Sequence, residues 1–430
     1  MSPTVPRVRE LFGQLLSPEF LNGLQPPAPD TVYTPHIVVW LFIFQRLHAN
    51  ASLARAVAEF LTQFPPAGAR PSANTGAYSQ ARARLDTTLA RTVADHVTTT
   101  LLQPTTPDEP APRAFILDGT TLQLTHTPEL CAAFPPASNQ HGASHWPILH
   151  LLVAHELNTG LALRPEFGPM YGPNAQSELS LARRIIPRLP PDALILADRN
   201  FGVFAVAHAA QSSGRGVLVR LTEARFRSLR KSARLEEPGR WELAWHPTPQ
   251  ERKSHGLGAD AEVTGWLHEV RVNPALTLWL FATCADSGHT LAALYRRRLD
   301  VETDIRNVKQ TLAMDRLTGQ GSAMVEKELV LGVLAYNLVN QVRRLAAARA
   351  GVAPRRLGFA GVWSLVQALL GALAGGSSDE DWEDRFERLL GWAAQRKLPR
   401  RATSRTHPRT IIPKRSRYPK RKTNTTPAPT

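Results

Sequence analysis

The sequence has little cysteine, no long apolar run and no nucleotide-binding loop, and each absence excludes a class of protein. Cys131 and Cys284 are its two cysteines, and their isolation in sequence excludes a disulfide framework or a paired-cysteine metal site. The longest apolar stretch, Ile37–Phe44, is much shorter than the roughly 20 residues of a transmembrane helix. The polar first ten residues lack the apolar segment of a signal peptide. We therefore expect a cytoplasmic protein, and the missing GxxxxGK[ST] pattern argues against ATP binding.

Acidic residues are also scarce relative to basic ones. The chain has 51 Lys and Arg against 36 Asp and Glu, which gives a net charge of +15 and a pI near 10.5. Such a charge favours a polyanionic partner, although a solvated basic surface is the simpler alternative. Twelve of the basic residues lie in 396–422, where no acidic residue occurs, and without them the net charge is near +3. We predict that residues 396–430 form a basic disordered tail that contacts DNA.

Hydrophobic periodicity predicts helical regions at both ends of an α/β protein. Residues 1–110 are predicted to form a helical, DNA-binding domain that ends in a Pro-rich linker, and residues 346–395 a C-terminal helical region. Residues 111–345 alternate strands with helices, which predicts an α/β core. Within it, residues 215–285 are rich in β-branched and aromatic residues and are predicted to be a β-rich insertion.

Individual elements can be placed within these regions. Helices are predicted at Ile37–Leu47, Leu53–Phe60, Leu85–Leu102, Ser177–Leu189, Leu291–Leu312, Glu326–Ala348, Val362–Leu373 and Asp379–Ala394. Strands are predicted at Phe115–Leu117, Pro147–Leu157, Leu161–Phe167, Ala193–Ala197, Val217–Leu221, Val263–Val272 and Leu276–Cys284. The segment Tyr78–Leu85 puts Arg82 and Arg84 at the start of a helix. These two arginines either contact DNA or lie on a solvated face, and the sequence favours neither.

Two aspartates each follow a run of aliphatic residues. Asp118 comes after Phe115–Leu117, and Asp198 comes after Ala193–Ala197. A carboxylate at the end of a buried strand lies where the sheet edge meets solvent, so two of them on neighbouring strands can bind a divalent cation. With a third carboxylate they can hold two ions about 4 Å apart. Taken singly, each aspartate is more often a turn residue or a helix cap.

A third carboxylate lies on the predicted helix at 291–312. Three polar residues lie within about 40° of Glu302 around this helix, counted at 100° per residue: Tyr295, Arg298 and Lys309. Asp300 and Asp304 project from the opposite side, so Glu302 is the preferred candidate. The alternative is a surface stripe of charge pairs.

Four histidines at positions 141, 145, 150 and 155 suggest a metal cluster but do not fit one. Their spacing is not that of a zinc site, because tetrahedral zinc sites use tighter ligand pairs. Several of them also lie in a predicted strand. We therefore predict structural roles for these histidines.

The motifs together resemble a known family. Asp118-Gly-Thr, Asp198-Arg-Asn-Phe and the Tyr-x2-Arg-x3-Glu-x6-Lys pattern that begins at Tyr295 resemble the DDE transposases of bacterial insertion sequences. The branch is the insertion-sequence-four group, which is defined by the Tyr-Arg-Glu-Lys motif. The resemblance covers roughly residues 35–345 and includes Ala313–Leu317 downstream of the glutamate.

The resemblance implies a fold, a site and partners. The fold would be an RNase H-like core with a β-rich insertion. Asp118, Asp198 and Glu302 would be catalytic and would bind Mg2+ or Mn2+, as two ions. Tyr295, Arg298 and Lys309 would bind DNA phosphates at the transposon end. One tryptophan of the insertion would stack on a flipped base, and the candidates are Trp241, Trp245, Trp266 and Trp279.

The expected activity is cut-and-paste DNA transposition. The enzyme would cleave at the terminal inverted repeats and transfer the strands to target DNA, working as a homodimer that joins the two ends. Two alternatives remain: a catalytically inactive DNA-binding regulator, and an RNase H-like nuclease without strand transfer.

Overall fold

The computed structural model describes residues 16–63, 72–103, 114–139, 142–374 and 379–399. The chain divides after Lys397 into two units, and every element named below belongs to the first. His141, most of the Pro-rich linker and the basic tail from residue 400 lie outside the described residues. In the part that the structure describes, no helix is long and apolar enough to cross a membrane.

The described part of the N-terminal region forms five helices, three of which were predicted from periodicity. They are α1 (Pro18–Leu24), α2 (Pro35–Leu47), α3 (Leu53–Gln63), α4 (Gly76–Arg84) and α5 (Thr87–Leu102). Local sequence explains several of their starts. The side chains of Ser17, Thr34 and Asp86 cap α1, α2 and α5, and proline follows the first two caps. These residues supply the acceptor and the fixed φ that a first helical turn favours.

The middle of the chain forms a mixed, mostly antiparallel sheet. Its strands are β1 (Ala114–Gln123), β2 (Pro136–Asn139), β3 (Gly142–Glu156), β4 (Glu166–Pro169), β5 (Leu194–Ala197), β6 (Gly216–Arg220), β7 (Arg234–Glu237), β8 (Arg240–Trp245), β9 (Val263–Asn273) and β10 (Leu276–Ala282). Their order is β2-β3-β1-β5-β6-β10-β9-β8-β7, and β4 pairs with β3. Among the described strands, β1 with β5 and β5 with β6 are the parallel neighbours. The predicted insertion therefore continues the central sheet through β10.

The remaining helices lie between these strands and after them. They are α6 (Pro128–Ala133), α7 (Glu178–Ile185), α8 (Phe204–Ser212), α9 (Glu223–Arg230), α10 (Pro249–His255), α11 (Gly288–Arg296), α12 (Asp300–Arg306), α13 (Ser322–Arg349), α14 (Phe359–Ala374) and α15 (Asp379–Ala394). The prediction at 161–167 was wrong in extent, because only its end is strand and Ala162 makes an isolated bridge to His155.

Alternation along the parallel strands gives the sheet two buried faces. Phe115, Ile195 and Val217 point into the main core, which also contains much of α2, α5 and α13. Their neighbours Ile116 and Leu196 point to the other face. A smaller apolar cluster covers that face, and α11 and α12 contribute to it. This second face positions the candidate site.

Buried polar contacts join the N-terminal helices to α13. Arg82 lies in the last turn of α4, which corrects the expectation that it starts a helix. Its guanidinium is buried, donates to Glu328 at 2.9 Å and lies 4.4 Å from the centre of the Phe42 ring. The Lys327 ammonium donates to the carbonyls of Arg82, Ala83 and Leu85 at the end of α4, where a positive charge is favourable. Arg82 is thus a structural residue.

Candidate active site

A row of three polar residues crosses the parallel strands. Ile116 of β1, Leu196 of β5 and Leu218 of β6 are aligned neighbours that belong to the smaller apolar cluster. Two positions further along each strand are Asp118, Asp198 and Arg220, listed here in the same order. Because side chains repeat their face every second residue, these three extend the aligned row beyond its apolar part. Sequence reasoning found the two aspartates and missed the arginine.

Asp118 is partly buried within a strand that continues past it. The expectation that it ends the strand was wrong, because β1 runs on to Gln123 with β3 as its partner. Only the pairing with β5 stops before it, at Ile116. The pKa of Asp118 is raised to about 6, chiefly by burial and also by the negative charges of Asp198 and Glu178, while the Gly119 N–H and Arg298 act in the opposite direction. The carboxyl is therefore desolvated and lies close to other acidic groups.

Asp198 follows directly after β5 and begins a turn. Its Oδ1 accepts a hydrogen bond from the Asn200 N–H at 2.8 Å, which is the local bond that makes aspartate favourable at such positions. The side chain is half-buried. Asp198 therefore combines the turn role with a place in the polar row.

The predicted helix over Leu291–Leu312 is real but irregular. It consists of α11, a 3-10 turn at Arg297–Leu299, α12 and a π-helical turn at Asn307–Thr311. A constant 100° per residue therefore does not describe it. Tyr295 is buried in the smaller cluster, and burial raises its pKa while the neighbouring charges of Arg298 and Arg220 lower it. Arg298 also acts on Asp118, so it lies near both Tyr295 and that aspartate.

Lys309 reaches strand β1 from the π-helical turn. Its ammonium donates to the Thr120 hydroxyl and to the Thr121 carbonyl, each at 3.0 Å. Thr120 is two residues past Asp118 and therefore shares its face of the sheet. A π-helical turn often marks a functional position, and here it places the ammonium beside the Asp118 strand.

Glu302 is the acidic residue of this segment that stays free. Its side chain is exposed, and it makes no hydrogen bond or ion pair with the residues that the structure describes. Asp304 is fully buried and bound by Arg355, and Asp300 lies 3.7 Å from Arg297 and from Arg355. The preference for Glu302 over its two acidic neighbours is therefore consistent with their partners, and its catalytic role remains a prediction.

Glu178 is a further acidic residue beside the row. It is the first residue of α7, after the cap Ser177, and its carboxylate rests directly over the Cα of Gly119, where a side chain would collide with it. His150 lies 3.8 Å away, and its bond to Glu178 raises the pKa of the imidazole. No sequence motif marks Glu178, because its place depends on how α7 packs on β3 and β4.

The remaining histidines and tryptophans have ordinary structural surroundings. His155 is buried against Tyr336, and the rings of His145 and His126 stack at 4.0 Å. Within the described ranges, no group of three or more His, Cys, Asp or Glu side chains is arranged to hold a metal ion. Among the insertion tryptophans, Trp245 is buried between Phe204 and Phe281.

Carboxylate oxygens nevertheless suit a hard divalent cation, which the aligned aspartates would bind as a pair. The desolvated position of Asp118 next to Asp198 and Glu178 fits this, because a cation would relieve the repulsion between them. Among the described residues, Asp198 and Glu178 are the acidic groups that act on Asp118, and Glu302 is not one of them.

Comparison with known proteins identifies the family. Residues 109–338 match the family model described as the transposase DDE domain. The chain belongs to this family. It is a DNA transposase, an enzyme that acts on DNA, and DDE transposases generally use divalent metal ions.

Two individual proteins can be compared with this DDE transposase. It is 28% identical over 396 residues to the transposase InsG for insertion sequence element IS4 of Escherichia coli strain K12, which covers 89% of this chain and 86% of that protein. The piggyBac transposase in a synaptic complex with hairpin DNA matches with a TM-score of 0.44 at 10% identity, over 90% of this chain and 85% of that one.

Proposed function

We propose that this transposase cuts DNA at the ends of its element and transfers the freed strands to target DNA in a cut-and-paste reaction. The observation that supports this best is the aligned pair Asp118 and Asp198 beneath the segment that carries Glu302. Arg298, which precedes Glu302 in sequence, lies near Asp118. Lys309, which follows Glu302, donates to Thr120 on the same strand as Asp118. Phosphate-binding groups thus surround the acidic groups that the reaction needs.

We also propose that the catalytic core is RNase H-like. That core is a five-stranded mixed sheet with three antiparallel strands followed by two that run parallel to the first. The order β4-β3-β1-β5-β6 supports this assignment, since β1, β3 and β4 are antiparallel neighbours. The strands β5 and β6 then run parallel to β1.

Asp118, Asp198 and Glu302 would hold Mg2+ or Mn2+, as two ions. When bound, such ions activate an attacking oxygen and stabilise a leaving oxygen in an in-line displacement. The chain's own cations would contribute phosphate binding: Arg298 lies near Asp118, Arg220 near Tyr295, and Lys309 beside Thr120. The Tyr295 side chain, which is buried in the smaller cluster near Arg298 and Arg220, would position the strand.

The proposed partners are the terminal inverted repeats and target DNA. We further propose a homodimer in the complex that joins both ends, because each subunit offers one such site. The three carboxylates argue against an inactive regulator derived from a transposase. A nuclease without strand transfer would use the same groups, so only the reaction products distinguish it.

The test uses purified protein and a labelled duplex that carries the element's terminal repeats, with Mg2+ or EDTA, on a denaturing gel. We expect metal-dependent cleavage at the repeat boundary. Asp118→Ala, Asp198→Ala and Glu302→Ala should each abolish cleavage and keep DNA binding, whereas the control Asp260→Ala changes an exposed aspartate in the loop after α10 and should cleave normally.

Each outcome has a defined meaning. Near-normal cleavage by any of the three variants would show that its residue is wrongly assigned. Binding without cleavage in either Mg2+ or Mn2+ would favour the regulator. Cleavage without joining of a precut end to a target plasmid would favour the nuclease.

A further inference from the structure

The helix that carries Glu302 is short and depends on side-chain contacts for its position. It has seven residues and lies between a 3-10 turn and a π-helical turn. Neither turn continues the regular α-helical hydrogen bonds, so α12 is not held as part of one long rigid helix. Two residues after Glu302, Asp304 is fully buried. Its carboxylate is the main polar anchor of this helix.

Asp304 is bound by a residue that lies beyond the matched family domain. Both terminal nitrogens of the Arg355 guanidinium donate to its two oxygens, at 2.9 and 2.8 Å. The Tyr336 hydroxyl donates a further hydrogen bond at 3.2 Å. A two-pronged bond between a guanidinium and a carboxylate is strong and fixes orientation as well as distance.

The same guanidinium also binds the backbone at the end of β3. It donates to the carbonyls of Leu157 and Glu156, where β3 ends. The Leu157 N–H in turn donates to the Ala114 carbonyl at 2.7 Å, and Ala114 starts the strand that contains Asp118. A chain of hydrogen bonds therefore links the Glu302 helix to the Asp118 strand through Arg355.

The turn that carries Arg355 is itself fixed. It is a 3-10 turn at Pro354–Arg356 that follows α13. The buried side chain of Arg343 donates to the Pro354 carbonyl at 2.8 Å and to the Asn340 side chain at 3.0 Å. The C-terminal region thus presents Arg355 in a defined place.

We infer that Arg355 is a positioning residue for transposition, which fixes the Glu302 helix relative to the Asp118 strand through the ion pair with Asp304. This inference rests on the proposed catalytic role of Glu302. Arg355 contacts no reacting group itself. Because a displacement of about 1 Å at a catalytic group can cost on the order of 100-fold in rate, losing the two-pronged bond should slow cleavage strongly.

The test compares Arg355→Lys with a matched control, Arg164→Lys. Lysine keeps the positive charge but loses the planar fork. Arg164 makes a similar bond to both oxygens of Asp95, each at 3.0 Å, between α5 and the loop before β4. We expect Arg355→Lys to fold and bind end DNA like the wild type and to cleave about 100-fold more slowly at saturating DNA. Its complex with DNA should also bind Mn2+ more weakly in a titration followed by electron paramagnetic resonance. Arg164→Lys should match the wild type in all three measurements.

Two outcomes would overturn the inference. One is an Arg355→Lys protein with wild-type cleavage rate and Mn2+ affinity. The other is an equal loss in both lysine variants, which would indicate general destabilisation. If Arg355→Lys does not fold, Asp304→Asn removes the same ion pair with little change of shape, and the same criteria apply.

Glu302→Gln separates this inference from the function on which it rests. If the proposed function is right, Glu302→Gln is inactive and binds Mn2+ weakly. Normal cleavage by Glu302→Gln would refute the proposed site whatever Arg355→Lys does. An inactive Glu302→Gln with a fully active Arg355→Lys would refute the positioning role alone.

Discussion

Asp118 shows how one residue can be costly for the fold and suited to the chemistry. Its carboxyl is partly buried beside Asp198 and Glu178, and these surroundings raise its pKa to about 6. Ionisation at neutral pH is therefore less favourable in the folded protein than in the unfolded chain. The same crowding of negative charge creates affinity for a cation. The free energy of unfolding of the metal-free protein should therefore depend on whether Asp118 is ionised.

We predict that Asp118→Asn raises the melting temperature of the metal-free protein at about pH 8, and that the gain disappears towards about pH 4. The folded pKa of about 6 lies above the ordinary value of 3.8. Ionisation therefore opposes folding fully above the higher value, and below the lower value both states keep the proton. Thermal melts in EDTA across this range measure the effect, with the exposed Asp260→Asn as the control. A gain that is independent of pH would contradict the prediction.

Arg220 shows which site residues local sequence does not reveal. It ends the apolar run of β6 much as Asp198 follows that of β5, yet only the strand alignment puts the two side by side. Its Nε is buried and has no hydrogen-bond partner among the described residues. Such an unmet donor next to the aspartates is consistent with the phosphate role proposed for it.

At the scale of elements, buried charged side chains hold α4 against α13. Glu328 accepts from Arg82 and from the Thr318 hydroxyl, at 2.9 and 2.8 Å. Arg46 lies 3.9 Å from the same carboxylate. Removing one partner from a buried ion pair leaves the other charge uncompensated, which is much more costly than losing an exposed pair.

We predict that Arg82→Ala lowers the free energy of unfolding by about 3–5 kcal/mol. Arg84→Ala, on the exposed side of the same turn, should change it by less than about 0.5 kcal/mol. Denaturant titration of both variants measures the difference. If Arg82→Ala were instead as stable as the wild type and bound DNA with a weaker salt dependence, Arg82 would be a DNA contact after all.

Local sequence patterns predict the helices of this protein well, but they predict the tertiary contacts of individual side chains poorly. The runs at Ile37–Leu47 and Leu53–Phe60 correspond to α2 and α3, because periodicity and caps act over a few residues. The burial of Arg82 depends on Glu328, 246 residues away, and no local pattern contains that information. The π-helical turn around Lys309 was missed for a related reason, since a constant helical angle was assumed and tertiary contacts changed it.

At the scale of the whole molecule, basic residues are distributed unevenly between the first unit and the residues that follow it in sequence. Ten of the twelve basic residues in 396–422 lie beyond Lys397, where the first unit ends. The residues proposed for catalysis all lie before that point. Non-specific DNA affinity and end cleavage should therefore be separable.

We predict that a chain ending at Lys397 binds a duplex without terminal repeats more weakly and with a shallower salt dependence. Each lost phosphate contact should reduce the slope of log affinity against log salt by about 0.9. Fluorescence anisotropy at several salt concentrations measures this, and cleavage of repeat ends at saturating DNA should be unchanged. The matched control is a full-length chain in which the basic residues of the tail are changed to glutamine. An unchanged salt slope in the shortened chain would show that the tail makes no phosphate contacts.

Because the proposed site depends on the register of the parallel strands, transposase activity requires that the sheet folds in the correct register. Side chains alternate between the two faces of the sheet, so a slip of β1 by one residue would turn Asp118 from the site towards the main core. Leu117 would take its place, and a carboxylate would enter an apolar interior at a large cost in free energy. Misaligned chains would therefore be both inactive and poorly stable. Selection for transposition would act at the same time on the accuracy with which this sheet assembles.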